Sequence, residues 1–229
     1  MELLIKDVAR LLNVPEDTVY QWIEGKRLPA LSINGQWRFN KVDLFEWATG
    51  HGIPITSDFL GSLSGNASSL PSVAEALAQG GIYYGIMGDD KTSVLKSVVS
   101  TISLPAQTDR DFLLEMLLAR EALGSTGIGA GIAIPHPRNP IVLNVDRPFL
   151  SLLFLQKSVD FESVDKIPVH ALFTLISPTV RLHLHLLSRI AFLLHNQEFK
   201  DALRSRAPKD QILSGIARIE GGMPADQRK

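Results

Sequence analysis

A chain of 229 residues, 45% hydrophobic and 21% charged, has the composition of a globular protein and excludes a disordered one. Its 23 Lys and Arg nearly balance 24 Asp and Glu, so the total charge names no partner, and the absence of cysteine excludes disulfides, thiolate zinc sites and cysteine nucleophiles. No apolar run approaches the roughly 20 residues of a membrane helix, and the first ten residues lack a secretory pattern, so a soluble, cytoplasmic protein without membrane insertion is expected.

The first elements are short and dense. Ile5, Val8, Ala9, Leu11 and Leu12 recur at helical spacing until Asn13-Val14-Pro15 interrupts them. Glu16 to Glu24 reads as a second helix with Val19, Trp22 and Ile23 on one side and Gly25 as its stop. Two β-like runs then flank Asn34-Gly35, a hairpin signal, and Lys41 to Ala48 reads as a third helix. Between Gly25 and Val42 lie Lys26, Arg27, Arg38 and Lys41 with no acid, a basic tip suited to phosphate contacts. Helix, turn, helix, hairpin, helix is the plan of a small winged helix-turn-helix domain. The stretch IKDVARLLNVPEDTVYQWIEGKRLPALSINGQWRFNKVDLFEWA resembles the excisionase-type, MerR-like DNA-binding module. That resemblance implies DNA as a partner of residues 1–53, with Lys26, Arg27, Trp37, Arg38 and Lys41 as candidate contacts, and is compatible with a homodimer.

Residues 54–72 are rich in Ser, Gly and Pro and read as a flexible linker, with Phe59-Leu60 a candidate docking point. From residue 73 the pattern becomes α/β. Gly81 to Gly88 is strand-like, and Asp89-Asp90 offer an N-cap for a helix reaching towards Ile102. Thr108 to Asp111 has the form of a capping box opening a helix that carries Arg120 and stops at Gly124. Pro148 to Leu155 and Val169 to Ile176 are apolar runs of strand length. Helices are expected over Arg181 to Leu194, Glu198 to Arg204 and Asp210 to Ile216, with residues 221–229 as a frayed tail.

The segment Arg120 to Arg138, REALGSTGIGAGIAIPHPR, sets four glycines and two prolines around His136. Glycines at this density let backbone N–H groups face an anion, and prolines on both sides restrict the histidine's backbone. A held imidazole beside bare donors suits a nucleophile that carries a phosphoryl group reversibly. A dinucleotide loop fits poorly, because no helix follows and the spacing is not GxGxxG; no GxxxxGK[ST] occurs either. A histidine-dependent hydrolase would need a carboxylate partner, and none lies near His136 in sequence.

The run LLAREALGSTGIGAGIAIPH, followed by RLHLHLLSRIAFLL, is similar to the type-2 enzyme IIA domains of the phosphotransferase system, nearest the nitrogen-regulatory branch. The resemblance spans residues 73–220 and implies an α/β domain with a mixed sheet flanked by helices, using no cofactor and no metal. It implies that His136 is phosphorylated, that Arg120 stabilises the phosphoryl group and that Ser125, Thr126 and Gly127 form the loop around it. The partner it implies is the phosphocarrier HPr or its nitrogen-branch counterpart. Pro137 departs from the glycine common in relatives and removes one N–H beside the site. The family's second histidine falls in HLHLLS. Residues i and i+2 of a helix point about 200° apart, so His183 and His185 cannot share a site. His183 lines up with Leu187, Ile190 and Leu194, whereas His185 lines up with Arg189 on a face expected to be more exposed. His183 is therefore the expected partner of His136, while His170 and His195 are expected to be structural.

The leading expectation is a regulator in which phosphorylation of His136 is coupled to DNA binding by the N-terminal module. The alternative is a sugar-transport phosphocarrier whose N-terminal part only docks to partners. In either case the relay must leave this chain or stop on it, since the usual next acceptor is a cysteine.

Overall fold

The computed structural model describes residues 2–25, 28–33, 35–51, 53, 70–138 and 145–222. It divides into two units, Met1–Asn66 and Ala67–Lys229.

The first unit places α1 (Ile5–Leu11) and α2 (Glu16–Gly25) before a hairpin of β2 (Leu31–Ile33) and β3 (Gln36–Asn40), then α3 (Lys41–Gly50). Asn13 ends α1 in the left-handed region (φ 51), a conformation its short polar side chain tolerates. One strand had no sequence signal: β1 (Glu2–Leu3) pairs antiparallel with β3, giving the order β1-β3-β2. Val8, Val19, Phe39, Leu44 and Ala48 are almost wholly buried between these elements. Trp22 meets Trp47 with ring centroids 5.2 Å apart.

The second unit is built on a mixed sheet of five strands in the order β4-β7-β8-β6-β5. These are β4 (Ile82–Ile86), β5 (Gly127–Gly129), β6 (Ile132–Ala133), β7 (Phe149–Val159) and β8 (Val169–Ile176). β4 runs parallel to β7 and β6 parallel to β8, while the β7–β8 and β5–β6 pairs are antiparallel. Among the described residues six helices accompany them: α4 (Val73–Gly80), α5 (Lys91–Thr101), α6 (Arg110–Ala122), α7 (Val180–His195), α8 (Gln197–Arg204) and α9 (Lys209–Gly221).

Both sheet faces are covered, which explains strands that read as continuous apolar runs. Leu153 belongs to the core built by Val94, Leu95 and Val98 of α5 with Leu113 and Leu117 of α6. Its neighbour Phe154 points the other way and stacks on Tyr84, whose hydroxyl donates to the Ala207 carbonyl between α8 and α9 (2.8 Å). On that side α4 docks on β7 so closely that a Cβ on Gly80 would lie 2.3 Å from the Leu150 oxygen. The Ser151 hydroxyl donates to the Gly80 carbonyl at the same contact (2.7 Å).

Local expectations needed adjustment at several element ends. The N-cap of α6 is Asp109, whose carboxylate accepts from the Phe112 N–H, so Thr108 forms no capping box. That helix does stop at Gly124, which follows the Leu123 C-cap with φ 154. Asp90 does cap α5, reciprocally with Ser93. β7 runs on to Val159, and α9 reaches Gly221. The stretch 70–72, read as linker, is ordered, and Ser72 caps α4 in a capping box with Glu75. Residues 54–69 with Phe59-Leu60, the Asn34 turn residue and the tail 223–229 lie outside the described residues. No helix among the described residues is long and apolar enough to cross a membrane.

Candidate phosphoryl site

The site is assembled where α6, the β5–β6 hairpin and the first turn of α7 converge. The glycine-rich segment, read from sequence as a loop, folds as a hairpin. Gly129, Ala130 and Gly131 all take positive φ (98, 54 and 74°), which turns the chain tightly between β5 and β6. At the base of the hairpin the Ile134 N–H donates to the Thr126 carbonyl (3.0 Å). The chain then continues along β8, where the Leu175 N–H donates to the Pro135 carbonyl (3.1 Å). His136 thus sits at the C-terminal end of the parallel β6–β8 pair, the edge at which open α/β sheets commonly bind ligands.

His136 is 2% exposed. Its Nδ1 lies 2.5 Å from the Ile134 carbonyl oxygen, and only a protonated Nδ1 can donate to a carbonyl. The neutral ring therefore keeps its lone pair on Nε2. His183, wholly buried in the first turn of α7, brings its ring centroid within 5.0 Å of His136 at an interplanar angle of 59°. Thr179 caps that turn by accepting from the Leu182 N–H (3.2 Å), so the positively polarised end of α7 lies close to the pair.

His185 is not on an exposed face. It is 7% exposed, as is Arg189, and its Nε2 donates to the Pro71 carbonyl (3.0 Å) at the entrance to the unit. The face expected to meet solvent is covered by the chain leading into α4, a long-range contact invisible to helical periodicity. Burial pushes the imidazole down to about 4; the hydrogen bond to Pro71 opposes this, and the charges of Arg189 and Arg181 add to it.

Of the other expected residues, Arg120 lies in the last turn of α6 and donates from Nη1 to the Gly124 carbonyl (2.9 Å). Ser125 donates to the Phe161 carbonyl and accepts from the Gly127 N–H (2.9 Å), which shapes the turn. Thr126 and Gly127 are buried there. Sequence reading missed the group that holds this turn. The carboxylate of Glu121, 6% exposed, accepts from the Thr126 N–H (3.0 Å) and hydroxyl (2.6 Å) through one oxygen. Its other oxygen lies 3.9 Å from the Lys91 ammonium. The available signal was a carboxylate next to Arg120 at a helix end, which reads equally well as a solvated charge.

In the first unit, Trp37 and Arg38 are half-buried on β3, with the Arg38 guanidinium donating to the Gln36 side chain (3.0 Å). Lys41 opens α3, and burial lowers its ammonium pKa. Lys26 and Arg27 lie outside the described residues.

A mixed sheet with helices on both faces and a histidine pair at one strand end defines a class, and the chain belongs to it. Residues 77–219 match the phosphoenolpyruvate-dependent sugar phosphotransferase system EIIA 2 family, and residues 3–52 match a helix-turn-helix domain family. Among its relatives, the nitrogen regulatory protein of Pseudomonas aeruginosa is 34% identical over 152 residues, covering 65% of this chain and 96% of that protein. A fructose-specific EIIABC component of Bacillus subtilis is 32% identical over 147 residues, 63% of this chain but 23% of that protein. The crystal structure of nitrogen regulatory protein IIA-Ntr from Neisseria meningitidis matches the fold with a TM-score of 0.55 at 24% identity, covering 63% of this chain and 98% of that one. The chain thus belongs to the EIIA 2 family of the phosphotransferase system, with a helix-turn-helix domain at its N-terminal side.

Proposed function

We propose that His136 accepts a phosphoryl group reversibly from a phosphohistidine of an HPr-type carrier, and that the phosphorylated state is read out through DNA binding by the N-terminal domain. The observation that carries this reading is the His136 ring itself. Its Nδ1 is committed to the Ile134 carbonyl, and His183 stands 5.0 Å away. In the transfer, the His136 Nε2 lone pair forms the new N–P bond as the donor's N–P bond breaks, and the donor leaves as a neutral imidazole. The proton stays on Nδ1, where the Ile134 carbonyl stabilises the positive charge that the ring acquires.

His183, Arg120 and the Ser125–Gly127 turn are assigned to the phosphoryl oxygens. The first two supply donors, and the turn, held by Glu121, fixes their surroundings. Since His136 is 2% exposed, its surroundings must rearrange for a protein donor to approach. Carrier docking and exposure of the ring are then one event. In the first unit, the local run of positive charge supports Lys26, Arg27, Trp37, Arg38 and Lys41 as the DNA contacts. Two copies of the chain on one site agree with this arrangement.

Incubation with phosphoenolpyruvate, enzyme I and the carrier tests the site. The intact chain becomes labelled and His136→Ala does not, while His183→Ala accepts label more slowly by about tenfold or more. Equal labelling of the intact chain and His136→Ala overturns the assignment.

A further inference from the structure

A second cluster of charge lies at the opposite end of β8. His170 is the second residue of that strand, and its N–H donates to the Gly131 carbonyl (2.8 Å), whereas Pro135 and His136 lie beside Leu175. Five residues of strand separate the two places by about 16 Å. Around His170 opens a groove of about 500 Å³. Arg204, Arg206, His170 and Ser158 supply its polar lining, and Ile167 and Pro168 its apolar wall. That volume lies within the range of small-molecule sites, which pair an apolar surface with a few convergent polar groups.

The acids nearby offset only part of the groove's positive charge. Arg206 uses one of its guanidinium donors on the Gln156 carbonyl (3.3 Å) and has no carboxylate partner among the described residues. Arg204 reaches Asp201 at 3.4 Å, an exposed pair of little strength. Asp165, near the hairpin tip, is held ionised by hydrogen bonds, so its negative charge remains beside the groove. Its carboxylate accepts from the Ala130 N–H (2.7 Å), the Ile167 N–H and the Ser163 hydroxyl (both 3.1 Å). Desolvation pushes that carboxyl up, but these bonds outweigh it and hold its pKa below the usual range.

The wall is rigid. Gly131 has φ +74, and a Cβ there would lie 2.3 Å from the His170 Nδ1, so the edge of the ring is packed against the turn. Arg206 holds a left-handed backbone (φ 52) at the turn leaving α8, a conformation unusual for a long side chain. His170 already registers the positive field: burial lowers its pKa, and the charges of Arg206 and Arg204 lower it further.

We propose that this groove binds a small phosphate ester, its phosphoryl group held by the Arg204 and Arg206 guanidiniums and its organic body lying on Ile167 and Pro168. Guanidinium forks match phosphate oxygens bidentately, and a neutral His170 offers the organic body a flat face. This is an effector site, separate from the phosphoryl-accepting histidine, on the hairpin whose far end carries His136.

Phenyl phosphate is the test ligand, added to the full chain at constant ionic strength while the His170 ring is followed by NMR. Saturable shifts of the His170 Cε1–H signal are expected, with a rise in the His170 pKa on saturation, since the bound dianion cancels the two guanidinium charges. Affinity falls at least tenfold in the Arg204→Gln/Arg206→Gln double variant. It is unchanged in Lys96→Gln, which removes a charge elsewhere, and in His136→Ala, which removes the other candidate phosphate site. Unaltered affinity in the double variant, loss of the signal in His136→Ala, or equal response to phenol overturns the proposal. Inorganic phosphate binding as tightly as phenyl phosphate also overturns it, because the apolar wall would then have no role.

Discussion

At the scale of single residues, buried polar groups carry most of what distinguishes this site. Glu121 is the clearest case, because one carboxylate oxygen satisfies both the N–H and the hydroxyl of Thr126. Glu121→Ala leaves two buried donors unpaired and should cost about 2–4 kcal/mol, read as a lower urea midpoint at unchanged slope. The same variant should accept label more slowly at His136. His185 gives the fold a pH dependence. Its pKa falls from 6.5 to about 4 on folding, chiefly through burial, so the unfolded chain takes up the proton first as pH falls. The stability this neutral ring contributes is present above pH 6.5 and is lost between 6.5 and about 4, to the extent of about 3 kcal/mol. Urea unfolding at pH 7 and pH 5 measures this, and His185→Gln should flatten the difference.

At the scale of elements, the β5–β6 hairpin and the cap of α7 position the chemistry. The hairpin turn tolerates no side chain at Gly131, where φ is +74 and His170 Nδ1 lies 2.3 Å from the ideal Cβ position. Gly131→Ala should destabilise by about 2 kcal/mol or more through strain and clash, measured by chemical denaturation. Gly215 is the converse. It lies inside α9 with only Phe199 within reach of a Cβ, at 3.8 Å. Gly215→Ala should stabilise by about 0.5–1 kcal/mol in the same assay, by removing helix-interior glycine. Helices were legible wherever their periodicity was strong, as in α6 and α7, while their ends depended on which of two neighbouring polar residues could reach an N–H. Asp109 won over Thr108 for that reason. The β5–β6 hairpin was not legible as strands because its pairing depends on β8, more than thirty residues away.

At the scale of the whole molecule, two units with separate cores divide the proposed work. Arg38 on β3 and Lys41 on α3 stand on elements packed through Phe39 and Leu44, each no more than 1% exposed. If Arg38 touches a phosphate, Arg38→Ala weakens DNA binding across sequences and lowers the slope of log K against log salt by about 1. Gel shifts at several salt concentrations read this, and an unchanged slope removes Arg38 from the contact set. A total charge of −1 never bore on the question, because the four cations between Gly25 and Val42 are balanced by acids elsewhere.

The sequence by itself determined the two-part organisation, the helix-turn-helix plan, the alternation of strands and helices, and the singular character of the segment around His136. These rest on local periods and on glycine and proline chemistry, which act within a few residues. Helical spacing had already set His183 apart as the partner of His136, and the rings do meet, but only the tertiary structure decided that His185 is buried against Pro71. Likewise only the fold decided that Glu121 is a buried partner and no surface charge, and that Arg204, Arg206 and His170 share a groove. The physical reason is the same each time. Burial and pairing of polar groups are set by which distant segments cover them, and helical or strand spacing carries no record of what lies opposite.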